Sequence, residues 1–288
     1  MSIVTIQVGQ CGNQLGESLF SSLSRDLSSA AIGSNKRGQR HRGRVPDGKS
    51  QPAQPDNGVV ESYRRCFFRD DGVARAVIVD TEPKAIQRII EGSRGPQLGA
   101  EAGKGTASTK DPGARVSTQI EGPKWSYDPS TQVCCRGVGG AANNWAFGYR
   151  GYGPSSMEAT LEIVRQEVER CDHLAGVSIL HSAAGGTGSG LGTYITEALR
   201  DHLPSTFLLN AVVCAHNSGE VILQNYNTLF TLSHLAACSD GVLVIENEGA
   251  SAVCRELLQM NRPSLSDLNA VICDGLTGVL LPATTEIP

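Results

Sequence analysis

Residues 177–190 read Val-Ser-Ile-Leu-His-Ser-Ala-Ala-Gly-Gly-Thr-Gly-Ser-Gly, and Leu191, Ile195 and Leu199 follow at helical spacing. A β-rich run therefore breaks into a glycine turn that opens an apolar-striped helix. Gly185, Gly186, Gly188 and Gly190 let the backbone approach an anion with no Cβ in the way, and Thr187 and Ser189 offer hydroxyls. The helix dipole favours negative charge at such a turn. The turn holds no lysine, so an anion there would rest on N–H groups and a metal. A glycine connection without a ligand fits the same letters, and the surrounding chain has to decide.

Upstream, residues 3–8 form a short β-rich run ending in Gly9-Gln10-Cys11-Gly12, after which Leu15, Leu19 and Leu23 mark a helix. A second strand over 74–79 runs into Asp80-Thr81-Glu82-Pro83, with Pro83 suited to the first turn of a helix over 84–90. Met157, Leu161, Val164 and Val168 stripe another helix before the glycine turn. Downstream, strands over 207–214 and 242–245 alternate with helices over 225–237 and 250–260. Ser264 is placed to cap a last helix carrying Leu268, Val271, Ile272 and Val279, which stops at Pro282. Strands apolar on both faces and separated by helices predict an α/β fold, a Rossmann-like parallel sheet with helices on both faces. Ligands in such folds sit at the carboxyl ends of the strands.

Two stretches break the pattern. Residues 28–58 carry Lys36, Arg37, Arg40, Arg42, Arg44 and Lys49 among Gly, Pro, Gln and Ser, and read as a disordered basic loop. Residues 92–137 are rich in Gly, Ser, Thr, Pro and Lys with no defensible hydrophobic period, and read as a second insertion. Within the first, Gly43-Arg-Val-Pro-Asp-Gly48-Lys49-Ser50 matches the Walker A expression letter for letter. Its flanks supply neither a buried strand nor a helix, so it is read as a decoy.

Composition narrows the class. Lys+Arg 25 against Asp+Glu 29 gives a formal charge of −4, which argues against a nucleic-acid or anionic-membrane binder. No run approaches the roughly 18 apolar residues of a membrane span, and no secretory leader is evident at the N-terminus. Nine Cys without a C-x-x-C pair suit reduced thiols in the cytosol and give no zinc spacing.

Several strand-end residues suit one pocket. Asp80 and Glu82 suit Mg²⁺, which takes oxygen ligands and bridges phosphates, although charge stabilisation of the helix starting at Pro83 would place them equally well. Asn247 and Asn269 could offer amides to a purine edge, or could simply cap turns.

Six motifs then occur in one order: Ile6-Gln-Val-Gly-Gln-Cys-Gly-Asn-Gln-Leu-Gly16, Val79-Asp-Thr-Glu-Pro83, Asn143-Asn-Trp-Ala146, Gly185-Gly-Thr-Gly-Ser-Gly190, Gln224-Asn-Tyr-Asn-Thr228 and Ser266-Asp-Leu-Asn269. In this the chain resembles the amino-terminal GTP-binding domain of the tubulin family, a tubulin/FtsZ-type GTPase domain. Gly219 to Leu235 and the Ala-Gly-Gly form of the glycine turn are most similar to the family's delta branch. The resemblance implies a GTP-binding domain over 1–263 and, over 264–288, the start of the helix that joins it to a second domain.

It also implies roles. Gln10 and Cys11 would lie under the phosphates and base, Asp80 and Glu82 near Mg²⁺ and the γ-phosphate, with Gln10 also at the metal. Ala141, Ala142 and Asn143 would flank the γ-phosphate. Ser182 and Gly185, Gly186, Thr187, Gly188, Ser189 and Gly190 would cradle the phosphates. Glu220 would face the ribose, Asn247 and Asn269 would read guanine, and Leu265 would lie against the base. The implied cofactors are GTP or GDP and Mg²⁺. The implied partners are other tubulins and centriolar or ciliary proteins, in cytoplasm and cytoskeleton at the centrosome, centriole and ciliary basal body, with the nucleus as a further location. The expected role is centriole and basal-body microtubule organisation, cilium formation and cilium-dependent signalling.

Three departures bear on the pocket. Ala142 stands where the family usually has Gly, Leu265 where alpha and beta chains have an aromatic ring, and Gln224 where an acidic ribose-side residue is usual. In the family an acidic loop of the neighbouring subunit completes hydrolysis, and that loop maps beyond residue 288. GTP binding with negligible turnover by the isolated chain is therefore expected. Leu276, Val279, Leu280 and Leu281 are expected to leave an unburied apolar stripe. Two other classes remain as alternatives: a dinucleotide oxidoreductase, disfavoured because the first turn lacks G-x-G-x-x-G, and a degenerate interaction protein with an impaired pocket.

Overall fold

The structure is a computed structural model and describes residues 1–35, 57–93, 125–135, 139–216, 219 and 221–281. Its six strands are β1 (Ser2–Val8), β2 (Ala76–Asp80), β3 (Gln132–Cys134), β4 (Leu174–Ser182), β5 (Phe207–Cys214) and β6 (Gly241–Glu246). They form one parallel sheet in the order β3-β2-β1-β4-β5-β6. Strand order reverses between β1 and β4, which is where open α/β sheets leave a crevice at their carboxyl edge.

The eight α-helices among the described residues are α1 (Gly9–Asn35), α2 (Asn57–Phe67), α3 (Pro83–Ser93), α4 (Gly153–Glu169), α5 (Gly192–His202), α6 (Gln224–Cys238), α7 (Asn247–Ala252) and α8 (Leu265–Leu280). Alternation along the strands distributes them. Val4, Ile6 and Val8 of β1, Val77 and Val79 of β2, and Val177 and Ile179 of β4 pack with Val164 of α4 and Ile195 and Leu199 of α5. The residues between them point the other way: Ala76, Ile78 and Leu180 meet Leu15, Leu19 and Leu23 of α1, Ile86 of α3 and Leu268, Ile272 and Leu276 of α8. Each fully buried Ile or Leu in these layers contributes about 1.5–3 kcal/mol.

Two helix starts follow their sequence signals. Pro83 opens α3. Ser264 caps α8 in a capping box, its side chain accepting from the Asp267 N–H while the Asp267 carboxylate accepts from the Ser264 N–H. No helix among the described residues is long and apolar enough to cross a membrane.

Several expectations need correction. The segment over 28–58 is not loop throughout: α1 continues to Asn35 and α2 starts at Asn57. The central part of that stretch, with the Walker-like Gly43–Ser50, lies outside the described residues. Helix α2 itself was not anticipated, although Val60, Tyr63 and Phe67 lie at helical spacing and reach the core. Nor is 92–137 a bare insertion. Residues 125–135 lay Trp125 and Tyr127 against Phe20, with ring centroids 5.7 and 5.9 Å away, and supply edge strand β3, whose Val133 alone points inward. The helix over 250–260 is α7 followed by a π turn, Val253–Leu257, and ends short of Met260. The stripe on α8 is largely covered: Leu276 is buried and Leu280 and Leu281 pack on the core, leaving Val279 60% exposed.

Far from the carboxyl edge, a charged cluster locks α4. Glu167, fully buried, meets both Arg69 and Arg170, and Arg69 also pairs with Asp128 at 2.8 Å. The Arg69 guanidinium holds the Asp128 carboxyl down at about 2, against the opposing effect of burial.

Candidate functional site

Five strand ends, one turn and α8 converge on a cavity of about 650 Å³. Gly9, at φ +71°, swings β1 into α1, so Gln10 and Cys11 fall in the first turn of that helix at the cavity wall. Asp80 ends β2 with Glu82 just after it, Ser182 ends β4 with Gly185 to Gly188 after it, Val213 and Ala215 come from the end of β5, and Asn247 opens α7 after β6. Ala141, Ala142 and Asn143 come from the turn before α4, and Leu265 and Asn269 from α8.

Asp80 is the buried charge of the site. One carboxylate oxygen accepts from the Thr81 and Glu82 N–H groups at 2.7 and 3.3 Å, and the other accepts from Asn13 Nδ2 at 3.0 Å. Burial nevertheless pushes its carboxyl above the usual range, against those hydrogen bonds, so a nearby cation would favour the ionised form. The Asn13 Oδ1 atom behind it is buried and has no partner. Glu82 is exposed at the rim, as is Gln10. Desolvation pushes the Cys11 thiol up to about 11, so it is not a thiolate nucleophile.

The glycine turn enters a π turn, Thr187–Leu191, that continues directly into α5, and no side chain caps its start at Gly186. The first N–H groups of such a helix start have no intrahelical partners. Close approach explains the glycine at 186: a Cβ there would stand 2.6 Å from the Ala141 carbonyl oxygen and 2.7 Å from the Asn144 nitrogen. The glycine turn and the 139–145 turn thus touch backbone to backbone. Thr81 and Thr187 hydroxyls face each other at 3.4 Å across the same corner.

Not every candidate reaches the cavity. Ser189 is fully buried and its hydroxyl donates back to the Gly185 carbonyl; Gly190 packs under Trp145, where a Cβ would overlap the tryptophan carbonyl oxygen. Both shape the turn from behind and do not line the cavity. Glu220 lies outside the described residues. Gln224 turns away and donates to the His216 carbonyl at 3.2 Å. Leu265 lines the cavity while 64% exposed.

The turn 139–145 is unusual in its backbone. Ala142 and Asn143 adopt φ +48° and +52°, in the left-handed region. Asparagine tolerates that region and alanine does not, so Ala142 is strained. The residue that faces this turn, Asn227 of α6, was given no role from sequence. Its amide donates to the Asn143 carbonyl at 2.8 Å and to the Ala184 carbonyl at 2.7 Å, and accepts from the Trp145 N–H at 3.0 Å. The one available signal was an asparagine inside a helix, a position its side chain disfavours unless it is engaged elsewhere. Sequence alone likewise assigns no role to Asn13 or Thr81.

Among the described residues no three His, Cys, Asp or Glu side chains cluster as a metal cage. The carboxylates of Asp80 and Glu82 in the cavity wall fit a cation that takes one or two carboxylates together with a phosphate ligand, the habit of Mg²⁺. A cavity with uncapped N–H groups at one end, a carboxylate beside them and two amide side chains at the other can take a nucleotide with its metal.

Comparison with known proteins agrees with this geometry. Residues 2–255 match the family model described as "Tubulin/FtsZ family, GTPase domain". The chain is 36% identical over 291 residues to the tubulin delta chain of Mus musculus, covering 99% of this chain and 54% of that protein. It is 35% identical over 283 residues to the tubulin delta chain of Homo sapiens, covering 98% and 53%. Identity to the tubulin beta-1 chain of Chondrus crispus is 28% over 281 residues, covering 96% and 52%. The chain spans about half the length of these relatives.

Proposed function

The chain belongs to the tubulin family, and on that premise we propose that its carboxyl-edge cavity binds a guanine nucleotide with Mg²⁺. The observation that carries the reading is the meeting of the glycine turn, the 139–145 turn and Asp80 in one cavity. The N–H groups opening the Thr187 π turn would hold phosphates, and Asn13 together with the N–H groups of Thr81 and Glu82 keeps the Asp80 carboxylate aimed. When bound, Mg²⁺ would neutralise phosphate charge, with Asp80, Glu82 and Gln10 as the residues beside it. Asn247 and Asn269 would hydrogen-bond the base edge, which is rich in both donors and acceptors. The division read from the sequence, a GTP-binding domain over 1–263 and the start of a joining helix over 264–288, forms part of the same proposal.

We assign binding to this cavity and expect negligible GTP turnover by the isolated chain, an expectation that steady phosphate release comparable to that of an assembled tubulin would refute. By its likeness to delta chains the protein would act in centriole and basal-body microtubules and in cilium formation, with other tubulins and centriolar or ciliary proteins as partners. The tagged chain should concentrate at centrioles; a uniform cytoplasmic distribution would count against that role.

A second reading, a pocket that has lost nucleotide, is favoured by strained Ala142 and by exposed Leu265 where an aromatic ring is usual. Titration with a fluorescent GTP analogue separates the two. A live pocket gives saturable, Mg²⁺-dependent binding that GTP displaces, ATP does not, and Thr187→Ala weakens. A dead pocket gives none of these.

A further inference from the structure

We infer that Asn227 is a positioning residue that sets the distance and orientation between the two phosphate-facing turns; this rests on the nucleotide reading above. The side chain is 3% exposed and does not line the cavity, so it cannot touch a ligand there. All its hydrogen-bonding hydrogens are used: both Nδ2 hydrogens go to carbonyls, of Asn143 in one turn and of Ala184 at the mouth of the other, while Oδ1 takes the Trp145 N–H. Two carbonyl acceptors and one N–H donor admit a single orientation of the amide, so its assignment is fixed by its neighbours. Aspartate, with the same shape, would turn oxygen toward both carbonyls. Glutamine would overshoot by one methylene.

The latch acts where the backbone is strained. Ala142 and Asn143 are both left-handed, and Asn227 grips the carbonyl of the second and the N–H two residues on. The Trp145 ring ties the same turn to the same helix, stacked on Tyr149 at 4.5 Å and lying against Phe230 and His234 of α6 at 5.3 and 5.1 Å. Helix α6 therefore holds the turn by one ring and one amide. The partners of Asn227 and Trp145 among the described residues include neither Asn247 nor Asn269, so loosening the latch should affect the phosphate end and leave the base end alone.

The test compares wild type, Asn227→Ala and Asn227→Asp, each with and without Ala142→Gly, in titrations with GMP, GDP and GTP in Mg²⁺ buffer and by hydrogen exchange of the Trp145 amide. Losing the latch should lower GTP affinity about tenfold, a loss of one or two buried hydrogen bonds. The loss should shrink from GTP to GDP to GMP, and Ala142→Gly should restore part of it. Exchange at Trp145 should speed up at least about tenfold in Asn227→Ala. Equal losses for all three nucleotides, no effect of Ala142→Gly, or unchanged Trp145 exchange would each overturn the inference. Failure of both variants to fold even with Ala142→Gly would do so too, because Asn227 would then serve the core and not the turn. A wild type that binds no nucleotide would refute the functional reading alone, and the exchange experiment would still judge the latch.

Discussion

Replacing Ala142 by glycine should stabilise this protein, against the ordinary direction of such a change. At φ +48° an alanine Cβ crowds its own backbone, at a cost of about 1–2 kcal/mol. Glycine removes that cost but gains about 0.4–1 kcal/mol of conformational freedom in the unfolded chain. The balance is a net stabilisation of about 0.5–1 kcal/mol. For a domain of this size that is a rise in Tm of roughly 1–4 °C. Urea unfolding of nucleotide-free protein should show a higher midpoint at an unchanged slope, since little exposed surface is altered. Asn143→Gly is the control: asparagine tolerates φ +52° far better, so the same exchange one residue on should gain less or lose. A destabilisation of about 1 kcal/mol by Ala142→Gly, the usual cost of glycine in regular backbone, would show that residue 142 is not left-handed in solution and would remove the strain on which the latch argument relies.

Other outcomes follow from distances already given. Gly186→Ala, which forces a Cβ to within 2.6 Å of the Ala141 carbonyl oxygen, should cost about 1–3 kcal/mol and reduce nucleotide taken up per chain, checked by unfolding and by binding stoichiometry. Glu167→Gln removes the buried carboxylate shared by Arg69, Arg75 and Arg170 and leaves Asp128 as the remaining carboxylate beside Arg69 and Arg170, and thermal unfolding should show a loss of about 1.5–3 kcal/mol with nucleotide specificity unchanged. His181, fully buried against Asn210 Oδ1 at 3.1 Å, has its pKa lowered by burial. The unfolded chain therefore binds the extra proton first, and stability should fall as pH drops below about 6.5, by up to about 1.4 kcal/mol per unit from this group. A pH-independent urea midpoint between 7 and 5 would contradict it.

The layered α/β fold was legible because β1, β2, β4 and β5 are long apolar runs and because Leu15-Leu19-Leu23 and Leu191-Ile195-Leu199 keep a clear helical period. What escaped was short or dependent on distant contact. Strand β3 has three residues at a sheet edge and buries only Val133, so no alternation exists to read. Trp125 and Tyr127 are held by Phe20, more than a hundred positions away in sequence. Strand ends named the candidate residues, since a turn after a parallel strand is a positional signal. Their orientation was not legible: Ser189 and Thr187 look alike in the chain, yet one hydroxyl turns into its own backbone and the other residue lines the cavity. Asn227 was invisible for the same reason, because its three partners lie in segments 43 and more residues away.

Guanine nucleotide content tests the central claim most directly. The chain, purified in Mg²⁺ buffer, is denatured, and the released nucleotide is identified and counted by ion-exchange chromatography. A guanine nucleotide near one per chain, GTP or GDP, is the predicted result. A chain that carries none, and takes up none when GTP and Mg²⁺ are supplied, would contradict it.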